Sequence, residues 1–154
     1  MLSQEEIAEI TSEIPNYADK KSVSIDALKT VQRHRGWVSD EALRDLAEFL
    51  GMTPEDLDGV ATFYNLIFRE PVGRHVIYLC NSVSCWVMGY EKVRQQLVER
   101  LGGDFGSTTP DGRFTLLPIV CLGICDHAPA MMIDDDTYVD LLDIDVNAIL
   151  DQYA

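Results

Sequence analysis

The 154-residue sequence predicts an α+β fold: an N-terminal four-helix bundle, then helices laid against a four-stranded mixed sheet. Three observations carry this. Up to about residue 65, apolar residues recur at helical spacing between capping signals. After Gly73, near-continuous apolar runs of strand length appear. The order beyond that point reads β-α-β-β-β-α, a strand–helix–strand unit followed by a hairpin and a helix. Two domains are expected, 1–70 and 71–154.

Ser3-Gln-Glu-Glu6 has the form of a capping box, and Ile7, Ile10 and Ile14 follow at helical spacing, so a helix is expected over 4–14 with Pro15 ending it. A second helix is expected from about Lys20 to His34, closed by Gly36. Ser39 caps a third, carrying Leu43, Leu46, Ala47 and Leu50 to Gly51. Thr53-Pro54 starts a fourth, with proline at the first helical position. Phe63, Tyr64, Leu66, Ile67 and Phe68 form a dense apolar stretch, expected to pack the bundle against the second domain. An alternative use is a partner surface, where aromatics are enriched.

His75–Cys80 reads as a strand covered on both faces, and one helix is expected over 86–101. A turn at 109–112 leads to a strand over Phe114–Cys121, whose Pro118 predicts a bulge or an edge position. Further strands are expected over Ala130–Ile133 and from Tyr138-Val139, with a turn at 134–137 and a closing helix over 146–153.

The net charge is −14, with 14 acids against 7 bases in residues 1–70 and 12 against 5 in residues 71–154. Acidity on both halves argues against nucleic acid and against an anionic membrane surface, since both require basic patches. No apolar run approaches the roughly 18 residues of a membrane span. The acidic N-terminus does not resemble a secretory signal, so a cytoplasmic, reducing location is expected.

In that setting the four cysteines suggest metal or redox work rather than disulfide staples. They form two close pairs, Cys80-Asn-Ser-Val-Ser-Cys85 and Cys121-Leu-Gly-Ile-Cys125. Cys80 and Cys121 end strands that a βαβ unit makes parallel, so both thiols should emerge at one sheet edge, with Cys85 and Cys125 in the loops beyond. Gly123 lets the second loop turn tightly and offers N–H groups to sulfur. Two close pairs suit a [2Fe–2S] cluster, with two thiolates on each iron. Structural zinc also takes four thiolates, whereas a thioredoxin-type dithiol wants Cys-x-x-Cys, which is absent.

With its Cys-x4-Cys, a 35-residue gap and Cys-Leu-Gly-x-Cys, the chain resembles the thioredoxin-like [2Fe–2S] ferredoxin family. More closely, it resembles the family of small peripheral E subunits of bacterial NADH:quinone oxidoreductase, respiratory complex I. Further matching stretches are Arg35-Gly-Trp-Val38, Gly59-Val-Ala-Thr-Phe-Tyr64, Pro71-Val-Gly-Arg-His75, Asp111-Gly-Arg-Phe114 and Ala130-Met-Met-Ile-Asp134. The resemblance implies a thioredoxin-like [2Fe–2S] domain after the helices, with Cys80 and Cys85 on one iron and Cys121 and Cys125 on the other. It implies docking onto a flavoprotein subunit that carries FMN and the NADH site, at the cytoplasmic face of the inner membrane. The chain has no glycine-rich dinucleotide fingerprint of its own. An NAD-linked hydrogenase or formate dehydrogenase reusing the module is one alternative, and a zinc-stabilised interaction protein is another.

Electron transfer needs no nucleophile or general base. Nearby acids disfavour reduction, so Asp126 and the run Asp134-Asp135-Asp136 predict a low-potential centre. That run also has the composition of a solvated turn. His127 is surplus as a ligand beside four cysteines, His34 reads as a surface or capping residue and His75 as packing. Trp86 is expected to shield the centre, touch a partner or pack in the core. Met88, Met131 and Met132 read as core fillers.

Overall fold

The computed structural model describes residues 1–153, which divide into two compact units, Met1–Pro71 and Val72 onward. The first contains α1 (Gln4–Glu13), α2 (Ser24–Arg35), α3 (Asp40–Leu50) and α4 (Pro54–Phe63). Ser3 and Glu6 close a reciprocal capping box, and the Ser39 and Thr53 side chains accept from the Ala42 and Asp56 N–H groups. Helix α2 starts four residues later than expected. The Asp19 carboxylate accepts from the Lys21 and Ser22 N–H groups instead, a local turn that competes with helix. Ile10, Leu28, Val31, Leu46, Leu50 and Leu57 form this unit's core. Each contributes roughly 1.5–3 kcal/mol through burial. Ile67 enters that core, whereas Phe63, Tyr64 and Leu66 are exposed, Phe63 by 77%.

One charge lies inside this unit. Glu6 is buried, and both its carboxylate oxygens meet Arg35, at 2.6 and 2.8 Å. The guanidinium hydrogen bonds, aided by the Ser3 N–H, outweigh burial and hold the carboxyl at about 2. Such a group stabilises the fold above the ordinary carboxylate range, and that stability is lost as pH falls through about 2. Glu6→Ala is expected to cost about 2–4 kcal/mol at pH 7, because it strands the partly buried Arg35. The penalty should shrink below pH 4 in urea melts followed by circular dichroism.

The second unit holds one sheet in the order β2-β1-β3-β4, with β1 (His75–Cys80), β2 (Phe114–Ile119), β3 (Met131–Ile133) and β4 (Asp136–Tyr138). β1 and β2 are parallel, with Cys80 opposite Ile119, and the other two pairings are antiparallel. β2 is an edge strand, which accommodates Pro118. It ends at Ile119, so Cys121 lies two residues beyond it. β4 begins at Asp136, earlier than expected, because Asp134 (φ +52) and Asp135 form a two-residue turn. The helix expected over 86–101 is two: α5 (Val83–Val87) and α6 (Tyr90–Leu101), parted at Gly89 (φ +110). The closing helix, α7 (Val146–Leu150), is shorter than expected. Ile77, Leu79, Val93, Leu97, Leu116, Met131 and Ile133 pack between sheet and helices. Among the described residues no helix is long and apolar enough to cross a membrane.

Candidate metal centre

The parallel pair β1–β2 delivers Cys80 and, just past its strand, Cys121 to one end of the sheet. Cys85 is not in a loop: it lies on the inner face of α5, buried like Cys80, each 2% exposed. Its sulfur faces the Cys80 thiol and the Ala130 backbone N–H. Burial, and then the contact with Cys80, push the Cys85 thiol up to about 11. Cys80 Sγ also lies 3.7 Å from the Val120 carbonyl.

The other pair is exposed. Cys121 precedes a turn at Gly123 (φ +81), and Cys125 opens a short 3₁₀ turn to His127. The Gly123 N–H points at Cys121 Sγ at 3.3 Å, and Cys121 Sγ lies 3.8 Å from Cys125 Sγ. A tetrahedral metal with metal–sulfur bonds of about 2.3 Å holds two thiolates about 3.8 Å apart, so this pair has the span of one metal's ligands. Yet among the described residues no three His, Cys, Asp or Glu side chains converge on one ion.

His127 Nδ1 is 2.9 Å from Asp140, which raises its pKa, and the Asp140 N–H donates to the His127 carbonyl at 2.9 Å. His127 is thereby turned to clamping the Cys125 loop. Asp140 (φ +51) is not singled out by the sequence, and nothing local marks it.

The aspartates expected near the cysteines mostly lie elsewhere. Asp134 bonds His75 Nδ1 at 2.6 Å and the Val76 N–H at 2.9 Å, at the opposite end of β1 from Cys80. Separation across the sheet weakens its influence on the thiols. Asp126 remains beside Cys125, but it is highly exposed and screened by solvent. His75 packs against Phe114 and Tyr153 as well, and His34 meets Glu9 at 3.0 Å.

Trp86 is 61% exposed, and Met88, expected as a core filler, is also exposed. Val83, Trp86 and Val87 form the outer face of α5 and Met88 follows its end, while Val120 is exposed beside Cys121. Leu142 closes over Gly89, where a Cβ would stand 2.8 Å from its Cδ1. Gly89→Ala is expected to lower stability by about 1–2 kcal/mol through its positive φ and this contact. A shift in the denaturant midpoint at unchanged slope would show it.

The thioredoxin-like [2Fe-2S] ferredoxin model matches residues 8–154. The E subunit of NADH-quinone oxidoreductase from Pseudomonas aeruginosa is 50% identical over all of this chain and 93% of its own length. That of Escherichia coli (strain K12) is 49% identical over 99% of this chain and 92% of its own. Among solved structures, an air-oxidised NAD+-reducing [NiFe]-hydrogenase superposes with a TM-score of 0.64 at 23% identity. That match covers 82% of this chain and 22% of the hydrogenase chain, and at that identity it shows the fold alone.

Proposed function

The chain belongs to the thioredoxin-like [2Fe-2S] ferredoxin family, within it to the E subunits of NADH-quinone oxidoreductase, and from that premise we propose that Cys80, Cys85, Cys121 and Cys125 hold its cluster. Its function is that of a [2Fe–2S] electron-transfer subunit of complex I. The observation that supports the ligand assignment is the two thiol pairs that the parallel β1–β2 pairing brings to one sheet end. Cys80 and Cys85 take one iron and Cys121 and Cys125 the other.

When bound, the cluster supplies a one-electron store. The chain's own residues do the rest. β1 and α5 hold the buried pair in a dry site, and the Gly123 and Ala130 N–H groups face sulfur, where they favour added negative charge. The Asp140–His127 contact fixes the exposed loop. The partner is a flavoprotein subunit carrying FMN and the NADH site, at the cytoplasmic face of the inner membrane. It docks on exposed apolar side chains near the thiols: Trp86 on the helix that carries Cys85, Leu142 over the end of that helix, and Val120 next to Cys121.

The deciding experiment is metal and sulfide analysis of the purified full chain with its visible spectrum. Two irons and two sulfides per chain, with colour that bleaches on dithionite, are expected. A colourless chain carrying zinc would end the assignment.

A further inference from the structure

The two thiol pairs differ in a way that ligation does not require. Cys80 and Cys85 are buried behind β1 and α5, whereas Cys121 and Cys125 are exposed on one short loop. Thiol–disulfide exchange needs an attacking sulfur and an oxidant that reach each other in solution. A small disulfide such as oxidised glutathione reaches Cys121 or Cys125 but not the buried pair. Once it has reacted there, the second exposed sulfur stands only 3.8 Å away. A disulfide bond is about 2.05 Å long, so the two sulfurs must close by somewhat less than 2 Å. The spacer Leu122-Gly123-Ile124 has an exposed glycine at positive φ in its middle, with Leu122 and Ile124 half-buried against the core on either side.

We propose that Cys121 and Cys125 are a redox modification site: in the cluster-free chain they close into a disulfide while Cys80 and Cys85 stay reduced, and the bridge blocks cluster loading until it is reduced. The chemistry balances with one low-molecular-weight disulfide as oxidant. One exposed thiolate attacks it, a protein–glutathione S–S bond forms and one glutathione leaves. The neighbouring thiolate then attacks the bound protein sulfur, the Cys121–Cys125 bond forms and the second glutathione leaves. The protein loses two electrons and two protons, and two glutathiones gain them. A thiol reductant reverses both steps. The blocking consequence rests on the assignment of these thiols as cluster ligands; the selectivity of the bridge does not.

The sequence makes the test clean. Trypsin cuts after Arg74, Lys92 and Arg113, so one pair lies in peptide 75–92 and the other in peptide 114–154. The full chain is stripped of metal by a chelator under reductant, freed of both, and treated with oxidised glutathione. Remaining thiols are alkylated before digestion and mass analysis. The expected result is an internal disulfide in 114–154 forming at least about tenfold faster than any oxidation of 75–92. Equal rates, a bridge within 75–92, or a species joining the two peptides would overturn the proposal. Alkylation of the untreated stripped chain, with and without guanidinium, verifies the difference in access. Labelling of both pairs at equal rates without guanidinium also overturns it. In Cys125→Ser the resolving thiol is gone, so Cys121 should retain one glutathione.

Loading is read separately, by supplying ferrous iron and sulfide and following visible absorbance. The reduced chain takes up the cluster and the oxidised chain does so only after dithiothreitol. Uptake by the bridged chain would overturn the gate. Failure of the reduced chain to take up any cluster would instead count against the ligand assignment, leaving the peptide map to decide the disulfide.

Discussion

Cys85→Ser is expected to abolish the cluster's absorbance and EPR signal almost completely, whereas Cys121→Ser leaves a reduced, distorted signal. The difference follows from where the two sulfurs sit. Cys85 is 2% exposed on the inner face of α5, and burial already pushes its thiol up to about 11. A thiol there becomes a ligand because the metal takes the proton's place. A serine hydroxyl gives up its proton far less readily than a thiol, and burial penalises its anion as it does the thiolate. Among the described residues no other side chain joins Cys80 and Cys85 to make a third donor. At Cys121 the substituted group faces solvent, so its anion is hydrated, and the loop around Gly123 has room to adjust. The sheet should survive both changes. Cys80 and Cys85 share a buried core with Ile77, Leu79, Leu116, Met131 and Ile133, and that apolar packing holds the sheet, so far-UV circular dichroism stays near native. Equal signal loss from the two variants would show that burial does not set the difference. A native signal in Cys85→Ser would remove it from the ligand set.

The features legible in the sequence are those that local chemistry determines. Ser3 and Glu6 lie three residues apart and cap their helix as a pair, and Thr53-Pro54 starts α4 where its composition says. The parallel pairing of β1 with β2 follows from the intervening helix, and it brings Cys80 and Cys121 to one end. Features set by distant partners are not legible. The apolar period continues through Gly89 and so predicts one helix; the break depends on a positive φ and on Leu142, 53 residues later, closing over it. Consequently Cys85 sits on a helix rather than in a loop. Asp134 looks like a neighbour of the cysteines because the hairpin follows them in sequence. The antiparallel register carries it back to His75, at the far end of the sheet. Asp140, which holds the Cys125 loop through His127, is one aspartate among many in the sequence.

Replacing Trp86 and Leu142 together by aspartate is expected to weaken association with the proposed flavoprotein partner at least about thirtyfold, the scale of one lost aromatic hot spot. Val83, Trp86 and Val87 share one face of α5 at helical spacing, with Cys85 on the other. Leu142 packs over Gly89 at the end of that helix, and Ile144 is exposed two residues on. This apolar face borders the thiol end of the sheet. The C-terminal segment that carries the thiol loop, Leu142 and Ile144 is acidic: residues 114–154 contain eight aspartates and no lysine or arginine. Asp126, Asp140, Asp143 and Asp145 lie next in sequence to the thiol loop and to Leu142 and Ile144. A partner fitting this face presents an apolar centre with lysine or arginine around it. Added salt should then slow association more than it speeds dissociation, since rim charges act mainly on encounter. Phe63→Asp, on the exposed face of α4 in the helical unit, serves as the comparison. Binding of cluster-loaded full chain to the immobilised flavoprotein subunit measures all three effects. If Phe63→Asp weakens binding and the Trp86/Leu142 double variant does not, the docking face lies on the helices and the electron must enter by another side of the cluster.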